Sequence, residues 1–201
     1  NDNCIMEINS KMKFNRSEIG SSVSCSGACL TVEKYKKNSV FFYLTKETLN
    51  RTIFKFLKKG NVINMEKPLK YGDSISGHFV QGHVDTTALV EKINFIGQSW
   101  LITFQLTNKY QKYLAQKGSI TINGVSLTIA KKLNNSFQIA LIPKTLKSTN
   151  LIPSFIRTEI NYNDKKIYAT DYIKKNNLKK LPKIFSKKNN LSFTNTTYPY
   201  Q

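Results

Sequence analysis

Sliding this chain against itself by 97 residues brings two long stretches into register without a gap. "SGACLTV" at residues 26–32 falls on "NGVSLTI" at 123–129, with Ser126 where the first copy has Cys29. From 22 to 52, eleven of 31 positions are identical to their partners at 119–149, several times what chance gives. They include Ser22/Ser119, Gly27/Gly124, Thr31/Thr128 and Thr48/Thr145, and Ile63–Asn64 still meets Ile160–Asn161 in the same phase. A period this long exceeds the roughly 20–50 residues of solenoid repeats, so each copy is a small domain and the chain is a tandem duplication. The register pairs His83–Trp100 with positions at and before residue 3, so the first copy's opening strand is expected upstream of residue 1.

Within a copy the signals are those of strands. "SVSCSGACLTVEKY", "SVFFYLT" and "SITINGVSLTIAKK" are short runs rich in β-branched and aromatic residues, bounded by turns such as "GD" at 72–73 and "NG" at 123–124. "ETLNRTIFKFLKKG" (47–60) and "TNKYQKYLAQKG" (107–118) read as short helices, each ending at a glycine. Short, closely spaced strands indicate closed or sandwiched sheets. The expected fold is all-β: two tandem homologous antiparallel six-stranded β-barrels, over residues 1–78 and 79–173, followed by a Lys/Asn-rich tail at 174–201.

Composition narrows the function classes. A chain of 201 residues with 40% hydrophobic content buries a core, and its uncharged runs are far shorter than the roughly 20 residues of a membrane helix. No signal-peptide pattern is read, and residue 1 is Asn, not Met. Cys4, Cys25 and Cys29 lack zinc-type pairing and read as reduced thiols of a cytoplasmic protein. The net charge of +19 raises nucleic-acid binding. However, 28 of the 31 basic residues are lysine, poorly suited to the bidentate readout that arginine provides. Seven of them stand in the acid-free tail, leaving a spread +12 on the body. A solvated surface is the expected reading, with no nucleic acid and no membrane as partner.

Side chains alternate along a strand. Ala28, Leu30 and Val32 share one face while Cys29 and Thr31 share the other; Val125, Leu127 and Ile129 stand likewise opposite Ser126 and Thr128. Two readings of the polar face stand: a solvated strand surface, or a small-molecule pocket wall kept in both copies. Both histidines, His78 and His83, fall in "SGHFVQGHVD". Five apart on a strand, they face opposite ways and suit no metal; beside Gly82, a histidine has room to exchange a proton with a ligand. A structural role for both is equally open. Lys117 attracts interest through its position beside the pocket strand.

Five ordered blocks carry a resemblance: "GSSVSCSGACLTV", "TKETLNRT", "NVINMEKPLKYGDSISGHFVQGHVD", "KGSITINGVSLTI" and "LIPKTLKSTNL". Over residues 18–173 they resemble riboflavin synthase of the α-chain type. The resemblance implies a transferase that dismutates two 6,7-dimethyl-8-ribityllumazine molecules to riboflavin and 5-amino-6-(D-ribitylamino)uracil. It implies no cofactor and no metal, and a homotrimer with sites between the N-barrel of one subunit and the C-barrel of its neighbour. It also implies a C-terminal helix, matched here to "ATDYIKKNNLKKL". A pocket written twice suits a substrate used twice.

By motif, the N-barrel pocket takes Ser22, Cys29, Leu30, Thr31, Tyr43, Leu44, Thr45, Lys46, Glu47 and Thr48, with Gly82, His83 and Val84. The C-barrel pocket takes Lys117, Ser126, Leu127, Thr128, Ala140, Leu141, Ile142, Pro143, Lys144 and Thr145. The expected chemistry has His83 in proton transfer, with Cys29, Ser22, Thr48 and Ser126 positioning or activating. The family's Val-Asn-(Leu/Ile)-Glu-x-Asp reads "INYND" here, with Asn163 at the glutamate and Lys165 at the aspartate. A one-residue deletion brings Asp164 to the aspartate position, and it joins the expected catalytic set. A non-catalytic lumazine- or flavin-binding relative and a single-stranded nucleic-acid-binding barrel are the alternatives.

Overall fold

The computed structural model describes residues 4–151 and, as backbone, two strands at 160–162 and 165–167. The first sheet holds β1 (Cys4–Asn9), β2 (Ser22–Cys25), β3 (Ala28–Lys36), β4 (Ser39–Leu44) and β5 (Met65–Glu66), in the order β1-β4-β3-β2-β5. The second holds β6 (Leu89–Ile96), β7 (Ser99–Gln105), β8 (Ser119–Ile122), β9 (Val125–Lys132) and β10 (Ser136–Leu141), in the order β6-β7-β10-β9-β8. The paired strands are antiparallel throughout. In the 97-residue register β1 to β4 fall on β7 to β10, so the internal repeat is a repeat of sheets.

The all-β expectation holds, with five strands in each sheet where six were expected. Among the described residues β6 has no equivalent in the first sheet. At the other end β11 (Ile160–Tyr162), which overlaps the β5 equivalent, pairs with β12 (Lys165–Ile167) and not with β8.

Alternation sorts the strands as their sequence dictates. On β3, Ala28, Leu30 and Val32 are buried while Cys29 and Thr31 are exposed. The inward residues form one core per sheet: Val23, Leu30, Val40, Phe42 and Leu44 in the first, Ile102, Phe104, Ile129, Phe137 and Ile139 in the second. Phe104 and Phe137 stack with centroids 5.3 Å apart.

The helices are shorter than their patterns suggest. Residues 47–60 split into α1 (Lys46–Arg51) and a 3-10 turn (Ile53–Phe56). Thr52 divides them: its backbone is extended, its hydroxyl donates to Thr48 O at 2.7 Å, and it accepts from Phe54 N at 3.3 Å. One threonine thus closes one helix and opens the next. Residues 107–118 give only α2 (Asn108–Gln111), which lacks a side-chain cap. α3 (Pro143–Ser148) repeats α1, with Thr149 Oγ1 donating to Thr145 O at 2.9 Å as Thr52 does to Thr48. The helix expected at 169–181 lies outside the described residues.

The two barrels meet tip to tip. The β2–β3 hairpin turns at Ser26–Gly27 (φ 45° and 85°) and the β8–β9 hairpin at Asn123–Gly124 (φ 50° and 84°). Positive φ at both central residues is the type I′ geometry that a twisted two-residue hairpin needs. The turns stack so closely that a Cβ on Gly27 would stand 2.7 Å from Gly124 N. Beside them Asn64 Nδ2 donates to Asn123 O and Asn150 Oδ1, both at 2.8 Å. Asn150 returns bonds of 2.8 Å from N to Asn64 Oδ1 and from Nδ2 to Val62 O. Asn150 is 3% exposed, so this cluster is a buried, satisfied polar lock across the seam.

Candidate active site

The polar residues shared by the two copies become cross-strand pairs. In β2–β3 the register sets Ser22 against Thr31 and Ser24 against Cys29. In β8–β9 it sets Ser119 against Thr128 and Thr121 against Ser126. Paired residues share a sheet face, so each hairpin presents four short polar groups in equivalent positions. The apolar partners of this alternation feed the cores, which fixes the polar face outward.

The segment joining the barrels lies against both faces. At one end Gly77 approaches the second hairpin so closely that a Cβ there would stand 2.7 Å from Ser126 Oγ. The next residue, His78, bridges two hydroxyls: Nδ1 lies 2.7 Å from Ser126 Oγ and Nε2 lies 3.1 Å from Thr121 Oγ1. Four residues further along, Gly82 O accepts from Cys29 N at 2.8 Å, and a Cβ on Gly82 would meet Cys29 Cβ at 2.7 Å. Ser126 and Cys29 are repeat equivalents, so one strap touches the same position in both copies. Bulk at either glycine would drive the strap off the strand.

A cavity of about 250 Å³ opens at the seam. Ser24, Asn64 and Glu66 reach it from the first barrel, Gly77 from the strap, and Ser126, Lys144 and Thr145 from the second barrel. Glu66 lies on β5, paired with Ser24, and burial pushes its carboxyl above the usual carboxylate range. Burial also pushes the Cys25 thiol up, with Cys29 adding to the effect; a thiol held protonated in a core is inert. Among the described residues no group of three or more His, Cys, Asp and Glu stands together in a way that could hold a metal ion. No helix among them is long and apolar enough to cross a membrane.

The residues singled out in the sequence separate into groups. Ser126, Lys144 and Thr145 line the cavity. Ser22, Cys29, Thr31 and Thr128 are exposed on the polar hairpin faces. Leu30, Leu44 and Leu141 are buried in the cores and Leu127 packs against one, so their side chains turn away from the polar faces. Thr45 caps α1, accepting from Thr48 N at 3.2 Å, and its hydroxyl lies 3.0 Å from that of Thr48. Glu47 pairs with Arg51 on the same helix. Tyr43, Lys46, Ala140 and Ile142 are exposed, and Pro143 is half-buried at the start of α3. His83 is exposed while Val84 packs on the first core. Lys117 adopts φ 67°, its N–H donating to Ile129 O at 2.9 Å with its side chain exposed. Asp164 lies outside the described residues.

Sequence reasoning missed Ser24, Thr121, Asn64 and Glu66. The first two were readable as the strand partners of Cys29 and Ser126. Glu66 carried a fainter signal: it follows Ile63–Asn64, the last pair in the repeat register.

The lumazine binding domain family matches residues 1–68 and 81–162. Riboflavin synthase of Escherichia coli is 39% identical over 145 residues, covering 72% of this chain and 68% of that protein. The enzyme of Photobacterium phosphoreum is 36% identical over 144 residues, covering 72% of this chain and 66% of that one. That of Actinobacillus pleuropneumoniae is 32% identical over 157 residues, covering 78% and 73%. The fold is similar to that of LumP complexed with riboflavin, with a TM-score of 0.64 at 24% identity, covering 75% of this chain and 82% of that one. A duplicated sheet, duplicated polar hairpin faces and this degree of identity agree: the chain belongs to the lumazine binding domain family, among the riboflavin synthases.

Proposed function

We propose that this protein converts two molecules of 6,7-dimethyl-8-ribityllumazine into riboflavin and 5-amino-6-(D-ribitylamino)uracil by four-carbon transfer. The observation that carries the reading is the pair of equivalent polar hairpin faces, Ser22/Ser24/Cys29/Thr31 and Ser119/Thr121/Ser126/Thr128. A dismutation takes two copies of one substrate, and two copies of one binding face suit that requirement. The reaction needs the two rings held in fixed mutual orientation and a proton removed from the donor or acceptor methyl group. His83, exposed beside the Gly82–Cys29 contact, is the proton-transfer group in this reading. Cys29, Ser22, Thr48 and Ser126 position substrate or water, and Asp164 supplies a carboxylate. His78 holds the Ser126 and Thr121 hydroxyls in place.

The working assembly is a cytoplasmic homotrimer, each site completed by a neighbouring subunit. Exposed Leu69, Tyr71, Ile75, Phe79 and Val80 support an interface: they crowd one connecting segment with apolar surface. Incubating the protein with the lumazine and following riboflavin fluorescence tests the activity. Stoichiometric formation of one riboflavin per two lumazines is expected. Tight lumazine binding without turnover would identify a non-catalytic carrier, and absence of binding would refute the assignment.

A further inference from the structure

We propose that the end of the second barrel around α2 is a docking surface for single-stranded nucleic acid. Lys109, Lys112, Lys117, Lys131 and Lys132 hold its phosphates there, and Tyr113 offers a ring on which a base stacks. The inference stands independently of the lumazine reading. It starts from an uneven division of charge between the halves. All eight carboxylates of residues 4–151 precede residue 92, and residues 92–151 carry eight lysines and no acid. Such asymmetry points to a polyanionic partner. A lysine-rich composition alone would load both copies alike. The 97-residue register instead sets the five lysines on Met12, Asn15, Gly20, Lys34 and Tyr35, so the first copy has one cation where the second has five. It also sets Ala115 on Glu18, whose carboxylate the first barrel pairs with Lys67.

Folding gathers these lysines from separate stretches of chain. The segment after α2 returns across the end of β9: Lys117 N donates to Ile129 O, and Ile129 N donates to Gly118 O, both at 2.9 Å. From β9, Lys132 Nζ donates to Leu114 O at 2.9 Å, which brings its ammonium beside that segment. All five lysines are exposed. Tyr113 is 72% exposed, with Lys112 Nζ 5.0 Å from its ring centroid, and Lys109 Nζ stands 5.4 Å from that of Tyr110. Exposed rings interleaved with cations suit a single strand, whose bases stack while its phosphates are neutralised. Lysine is a point charge and not a bidentate fork, so the contacts go to phosphates and the binding is independent of sequence. A membrane surface fits less well. It calls for a helix with a continuous apolar face, whereas α2 has four residues and Tyr113 is the one large apolar side chain exposed between residues 107 and 134.

The test is fluorescence anisotropy of the intact protein with a fluorescein-labelled oligothymidylate longer than a roughly 16-nucleotide site. On single strands each neutralised phosphate contributes about −0.7 to the slope of log K against log salt, so five lysines give about −3. Affinity should then fall roughly fiftyfold to a hundredfold between about 50 and 200 mM salt. The combined variant Lys109→Gln, Lys112→Gln, Lys131→Gln should flatten the slope by about 2 and weaken binding at least about tenfold. The control, Lys34→Gln, Lys36→Gln, Lys37→Gln on the first barrel, removes the same charge and should stay within about threefold of wild type. The seven tail lysines remain in every protein, so the difference between the two variants reports the face and not the net charge. Tyr113→Ala should weaken binding about fivefold or more with the salt slope unchanged. Equal weakening by both lysine variants, or a wild type that does not raise the anisotropy, would overturn the proposal. Sedimentation with phosphatidylglycerol–phosphatidylcholine vesicles without oligonucleotide binding would overturn it in favour of a lipid surface.

Discussion

Replacing Gly27 with alanine probes the seam on which the cavity depends. Gly27 has φ +85°, and its Cβ would stand 2.7 Å from Gly124 N and 3.2 Å from Gly124 Cα. Both neighbours are backbone, so no side chain can swing aside. The left-handed conformation alone costs an alanine about 1–2 kcal/mol. Relieving the overlap requires the turns to part, which stretches the Asn64 bonds to Asn123 and Asn150. Losing one or two such bonds adds about 1–2 kcal/mol, for a total of about 2–4 kcal/mol. Gly20 is the control: it has φ +83°, and nothing lies within 4 Å of its Cβ position. Gly20→Ala should therefore cost only the conformational part. Trp100, the sole tryptophan, is buried in the second core, so its fluorescence during urea unfolding reports the barrel that does not contain Gly27. If the seam couples the barrels, Gly27→Ala shifts the Trp100 transition by clearly more than Gly20→Ala does. Equal shifts, or a Trp100 transition unmoved by Gly27→Ala, would refute the coupling.

Other perturbations test separate parts of the reasoning. Asn150→Ala leaves buried partners on Asn64 and Val62 unsatisfied and should lower stability by about 2–4 kcal/mol, read by denaturant midpoint; Asn150→Asp should not restore it. His83→Ala should lower kcat with little change in melting temperature, whereas His78→Ala, which releases Ser126 and Thr121, should lower both; the reverse pattern would exchange their roles. Cys29→Ser should retain most activity if water is the nucleophile and lose nearly all of it if the thiol is. The acid side of the stability profile has two opposed contributions. The hydrogen bond from Lys67 holds Glu18 below its ordinary 4.5, so that pair stabilises above this value and its contribution is lost as pH falls through the lowered pKa. Burial raises Glu66, so its contribution is greatest below its ordinary 4.5 and is lost as pH rises through the raised value. Glu18→Gln should remove the first dependence and Glu66→Gln the second, measured by urea midpoints between about pH 3 and 7.

Much of this protein is local and was therefore legible in the chain. The duplication, the strand runs, the alternation of Leu30 against Cys29 and Thr31, and the "NG" turn at 123–124 depend on near neighbours in sequence. Helix lengths were less legible, because Thr52 competes for backbone groups in a pattern that otherwise continues. The 97-residue register also announced that Cys29 and Ser126 are equivalent, since duplicated sequences fold into duplicated sheets.

What the sequence could not announce is how the copies meet. Asn123–Gly124 reads as a turn and Ser26–Gly27 is its repeat equivalent, but nothing local says that they stack backbone on backbone. Asn64 and Asn150 lie 86 residues apart, and only the assembled seam makes them partners. The same holds for His78, which ends on Ser126 and Thr121, and for Glu66, which lines the seam cavity together with Ser126 of the other barrel. The physical reason is the range of the forces. Periodicity and turn geometry are set by bonded neighbours, whereas the desolvation of a carboxylate or the pairing of two amides depends on groups brought near by packing. The sequence by itself determined that there would be two matched polar faces. Tertiary structure decided that they share one seam, one strap and one cavity.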